Sequence, residues 1–268
     1  MKKTALLLCL SGIFFIGIWL IAIPEGVTLN LVEDAIGRDD IYFETKGFKK
    51  GLFYNFTAER IFLKKRNQGT ADDTLLIFDE VSGSLNILSL LKLRPELVFD
   101  CKMNAGKVAG TIRLTGKGAV KVSGSGINTS GIPFLELLGI KGDGNLAWSL
   151  HLNNRRGEAR FSVDNAKISR DSSGGFLFPL SVFKDIRGAM VINDGTMEVR
   201  SFVLEGSGVY ARAKGSIMEG RIELNLELMM DSSFDAGYFD HAMIERYKVS
   251  PGYYVIPINT SLFSKGVT

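Results

Sequence analysis

Beyond residue 40, apolar and polar residues alternate with a period of two through most of the chain. This is the pattern of strands that bury one face. From Arg221 to Leu228, Ile222, Leu224, Leu226 and Leu228 fall on one side and Arg221, Glu223, Asn225 and Glu227 on the other. Leu146, Trp148, Leu150 and Leu152 alternate in the same way with Ala147, Ser149, His151 and Asn153. Val108, Ile112 and Leu114 do so with Lys107, Thr111 and Arg113. One greasy and one wet face per strand marks an antiparallel sheet covered on one side. Turn signals separate the runs: Asn104-Ala105-Gly106, Asn154-Arg155-Arg156-Gly157, Asn193-Asp194-Gly195 and Met218-Glu219-Gly220. The third of these predicts a hairpin joining Ala189–Ile192 to Met197–Phe202.

Two stretches break the alternation. Leu85 to Leu93 lies between Gly83 and Pro95, and Ile132 to Ile140 between Gly131 and Gly142. Both are too short to be stable as isolated helices, so they are expected to be one- or two-turn helices capping the sheet. Each is followed by strand-like sequence, a faint internal repeat. The expected fold is mainly β, a curved antiparallel sheet with short capping helices.

The N-terminus differs in kind. After Met1-Lys2-Lys3-Thr4 comes a charge-free apolar run, Ala5 to Ile23, followed by Pro24. At helical rise this run spans about 28 Å, close to the hydrocarbon thickness of a bilayer. A cleaved signal peptide is the alternative, but Ile21-Ala22-Ile23 is a poor cleavage site. Trp19 sits where an interfacial aromatic would anchor a helix. Lys2 and Lys3 favour a cytoplasmic N-terminus, which sends the rest of the chain across the membrane. The expected organisation is therefore a transmembrane anchor over 1–23 and a periplasmic β-rich domain over 24–268, in a single-pass inner-membrane protein.

Composition narrows the function classes. With 46% hydrophobic and 23% charged residues and 30 glycines among 268, the chain is too apolar for disorder. It is also too charged for a multi-span protein. The formal charge is +3, and two of the cations are Lys2 and Lys3, so the remainder is nearly neutral. No basic stripe calls for a nucleic-acid partner. Cys9 lies in the anchor and Cys101 is the only other cysteine, which leaves the domain without an internal disulfide.

The search for chemistry returns little. His151 and His241 are the only histidines and have no metal-ligand spacing around them. No G-x-S-x-G elbow is present. Gly124-Ser125-Gly126 and Gly206-Ser207-Gly208 fit neither a dinucleotide fingerprint nor a P-loop and read as turn or bulge glycines. Asp72-Asp73 and Asp79-Glu80 read as solvated carboxylates at strand ends. Neither a catalytic residue, a metal site nor a cofactor is expected. The apolar faces are the remaining candidates: Leu146, Trp148 and Leu150, with Ile222, Leu224 and Leu226, are expected to line the concave side of one sheet. That side is either an ordinary packed core or a groove for acyl chains or a partner's apolar element.

The block from Phe178 to Ile217 carries a family resemblance. It has a Phe-Pro-Leu entry, Ile186-Arg187-Gly188, a hairpin at Asp194-Gly195, then Leu204-Glu205-Gly206 and Val209-Tyr210-Ala211-Arg212. With the leucine-rich turn before Gly142-Asp143-Gly144, the ending Tyr253-Tyr254-Val255-Ile256-Pro257-Ile258 and the single N-terminal span, it resembles the type II secretion system protein N family. That family in turn looks related to AsmA-like envelope proteins. The similarity is clearest from about Gly83 onward and faint before Thr74. It implies an inner-membrane component of the secretion machinery with a curved β-rich periplasmic domain, other secretion-system subunits as partners, and no catalytic motif. The alternative is an AsmA-like module that binds or transfers lipid.

Overall fold

The structure, a computed structural model, describes residues 41–51, 55–67, 71–86, 89, 92, 94–113, 118–170, 180–218, 220–232, 234 and 244–261. The predicted span over Ala5–Ile23 lies outside them. Among the described residues no helix is long and apolar enough to cross a membrane.

The chain is built from antiparallel strands. In order these are β1 (Ile41–Lys46), β2 (Lys49–Lys50), β3 (Asn55–Lys65), β4 (Asp73–Leu85), β5 (Glu96–Met103), β6 (Gly106–Arg113) and β7 (Ala119–Asn128). Helix α1 (Pro133–Leu137) precedes β8 (Ile140–Asn153), β9 (Arg156–Arg170), β10 (Phe183–Asn193), β11 (Thr196–Gly206), β12 (Val209–Met218), β13 (Arg221–Met230), β14 (Lys248–Ser250) and β15 (Tyr253–Ser261). The mainly β, antiparallel expectation is what the strands show.

Two compact units are present. The first comprises Met1–Met103 and Val108–Gly116, and the second Asn104–Lys107 and Lys117–Thr268. In the first, β1, β3, β4 and β5 are successive neighbours and β2 pairs with β3. Its buried side chains include Phe56, Ala58, Val81, Leu97, Met103 and Val108. In the second, the strands from β7 to β13 lie side by side in chain order, followed by β15 and then β14. Two-residue turns join β8 to β9, β10 to β11, β11 to β12 and β12 to β13, while longer connections lead from β7 to β8, from β9 to β10 and from β13 to β14. Asn154 and Arg155 both take positive φ, and so do Asp194 and Gly195. These are the backbone angles that match the right-handed twist of a hairpin.

The two helix expectations fare differently. Over Ile132–Ile140 a helix forms, confined to Pro133–Leu137, with proline at its start and Ile132 buried just ahead of it. Over Leu85–Leu93 the first residue closes β4 and Ser89 is helical, while residues 87, 88, 90, 91 and 93 lie outside those described. Ser89 is buried there, its hydroxyl donating to the Asn86 carbonyl at 2.6 Å and accepting from the Glu96 amide at 3.0 Å. The β7–β8 connection is tied down by Thr129, whose amide donates to the Gly144 carbonyl at 3.0 Å. Asn104 reaches the same region, its side-chain amide donating to the Asn128 carbonyl at 3.0 Å and to that of Ser130.

Candidate functional site

Register decides which side chains of the second unit share a face, because cross-strand partners point the same way. Trp148 lies between Gly124 on β7 and Phe161 on β9. Phe161 pairs with Gly188, Gly188 with Phe202, Phe202 with Ala213, Ala213 with Leu226 and Leu226 with Ile256. This single rung runs from β7 to β15 and is apolar throughout. Trp148 and Leu226, from the two predicted trios, therefore stand on one face.

The neighbouring rungs place the other four. Leu150 and Leu224 are joined through Ala159, Met190, Val199 and Gly215. Leu146, opposite Ile127 on β7, lies on a rung that passes through Val163, Ile186, Leu204 and Ala211 to Leu228. Ile222 lies on one that includes Leu152, Ile192, Met197 and Ile217. All six residues thus belong to the same face of one sheet.

Burial along this face is graded. In the rung of Leu228, every member from Val163 to Tyr254 is buried, with Ala211 and Leu228 at 0% exposure. Phe183 at the start of β10 packs onto this end, as do Leu180 and Val182 from the β9–β10 connection and Ile244 from the β13–β14 connection. In the rung of Ile222, from Leu152 to Ile222, every member is only half-buried. One end of the face is a closed core and the other is half-exposed.

Two glycines let the large rings lie flat. A Cβ on Gly124 would come within 2.5 Å of the Trp148 indole nitrogen, and one on Gly188 within 2.1 Å of the Phe161 ring. Phe161 and Phe202 sit with ring centres 6.1 Å apart at 44°. The sequence reading singled out neither Phe161 nor Phe202. The alternation of Ala159, Phe161 and Val163 against Glu158, Arg160 and Ser162 is the signal that could have found the first.

The opposite face is charged. His151 is exposed there, between Lys121 and Glu158; His241 lies outside the described residues. In the first unit, three members of the acidic pairs make ordinary contacts. Asp79 meets Arg60 and Glu80 meets Lys102, each at 2.6 Å, while Asp72 accepts from the Tyr42 hydroxyl at 2.6 Å. Among the described residues no group of histidine, cysteine and acidic side chains could hold a metal ion.

Burial, aided by Asp100, pushes the Cys101 thiol up to about 12. The folded chain should therefore leave this thiol unalkylated at neutral pH, in a Cys9→Ser background, until denaturant is added; prompt modification of the native protein would contradict its burial. Because the unfolded thiol ionises near its ordinary value of 9.0, this group lowers stability as pH rises from there toward 12.

Comparison with protein families, with curated proteins and with solved structures finds no match for this chain.

Proposed function

We propose that the chain is a non-enzymatic, single-pass component of the inner membrane, with an assembly or accessory role in type II secretion. Ala5–Ile23 holds it in the bilayer, and the strands lie on the periplasmic side as a sheet curved around its apolar face. Its partners are the inner membrane and other secretion-system subunits; nucleic acid is not among them. The observation that supports this reading is local. Within the block that carries the resemblance, Phe178 to Ile217, the described residues include the consecutive neighbours β10, β11 and β12, with Ile186, Leu204 and Ala211 together on the buried rung.

A test is deletion of the coding region in a strain that exports a type II substrate. Export should fall and return with a plasmid copy, and unchanged export would count against the reading. Topology has its own measurement. A reporter active only outside the cytoplasm, fused after Thr268, should be active in a stable full-length fusion; an inactive one would reverse the proposed orientation. Recovery of a mature chain starting near Glu25 would replace the anchor with a cleaved signal.

A second reading, a lipid-binding or lipid-transfer module, is favoured by the half-buried rung at Ile222. Acyl lipid extracted with the wild-type chain and lost from a folded Ile222→Asp variant would select it.

A further inference from the structure

The first unit carries an uncommon arrangement of charge on its outermost strands. β1 and β3 pair with Tyr42 opposite Lys64, Glu44 opposite Phe62 and Lys46 opposite Arg60, which puts these six side chains on one face. Three cations surround one ring. The ammonium groups of Lys46 and Lys64 stand 5.2 and 5.7 Å from the centre of Phe62, and the Arg60 guanidinium stands 5.9 Å away. A fourth, Arg66, lies 5.4 Å over Tyr42. Glu44 answers Lys64 and Asp79 answers Arg60. Among the described residues, Lys46 and Arg66 form no salt bridge; Lys46 rests on Phe62 within electrostatic reach of Glu44, and Arg66 rests on Tyr42 within reach of Asp72. Both rings are half-buried.

We propose that this face docks on the surface of a phospholipid bilayer bearing anionic headgroups, with Lys46 and Arg66 meeting phosphate and with Phe62 and Tyr42 at headgroup depth. Aromatic rings interleaved with lysine and arginine suit the boundary between water and hydrocarbon, because each side chain there has an apolar body and a polar or charged tip. Proximity supplies the rest. The inference rests on the anchor reading above: Ile23 ends the apolar run and Ile41 begins β1, with residues 24–40 between them. Even fully extended, that linker reaches only about 60 Å. The tether holds β1 and β3 beside the bilayer at an effective concentration of about millimolar, so weak contacts suffice.

The test uses the full chain in vesicles with Trp19→Phe, Trp148→Phe and Phe62→Trp, leaving one tryptophan in the proposed contact. The vesicles contain brominated phosphatidylcholine, with or without phosphatidylglycerol at about one lipid in four. Fluorescence of that single indole should be quenched severalfold more with phosphatidylglycerol than without it. Lys46→Gln with Arg66→Gln should return quenching to the level of the neutral vesicles, at unchanged far-UV circular dichroism. Quenching that is absent in both vesicles, or indifferent to the anionic lipid and to the two substitutions, overturns the proposal. Flotation of the same samples separates this failure from that of the anchor. A chain that floats with the vesicles but is not quenched loses only the docking face. One that does not float loses the anchor and the docking face together.

Discussion

Leu228→Asp is expected to unfold the second unit, while Ile222→Asp, six residues earlier on the same face of the same strand, leaves it folded. Leu228 is fully buried, with Ala211 and Tyr254 as its cross-strand partners. A carboxylate there has neither water nor a cation among its register neighbours, a cost of about 5 kcal/mol or more once the lost leucine packing is included. That is comparable to the whole stability of an ordinary domain. Ile222 pairs with Ile217 and with the exposed Thr260, and is itself half-buried. An aspartate there keeps water, and the loss is about 1–2 kcal/mol. Leu224, one rung in, should fall between the two. Thermal melts of the full-length variants in detergent, followed by circular dichroism, give the ranking. Equal large losses at Leu228 and Ile222 would mean that the face is closed along its whole length, and the groove reading would fall with the gradient.

The contrast between those positions also shows how far the sequence could be read. Period-two alternation was enough to assign β8 and β13 and the apolar side of each. The hairpin at Asp194-Gly195 was legible because its turn chemistry is local. What joins the two trios is not local. Val199 and Phe202 are three residues apart, so strict alternation puts them on opposite faces. A bulge in β11 restores both to the apolar side, opposite Met190 and Gly188. The same occurs on β7 between Gly124 and Ile127. On β9, Val163 and Ala166 are both buried, with Asn165 between them at positive φ. A bulge depends on the partner strand's register, which a single strand's pattern does not contain. The basic and aromatic face of β1 and β3 was hidden for the same reason. Lys46 and Arg60 are fourteen residues apart and become neighbours only through pairing.

Register also sets the size of the last effect, at Gly188. A methyl group there meets two atoms of the Phe161 ring at 2.1 and 2.5 Å, inside any tolerable contact. The ring has little freedom to retreat, with Trp148 opposite it on β8 and Phe202 at 6.1 Å. Gly188→Ala should therefore cost about 1–3 kcal/mol by overpacking, although alanine ordinarily suits a strand better than glycine does. Phe161→Ala should cost about 3–5 kcal/mol through the space it empties. Together the two changes should cost less than their sum, because the new methyl group enters space the ring has left. A coupling of roughly 1.5 kcal/mol or more is expected from the double-mutant cycle. Chemical denaturation of the four chains measures it. Strictly additive losses would show that Phe161 does not lie over Gly188, and the continuous apolar rung from Gly124 to Ile256 would lose the contact at its centre.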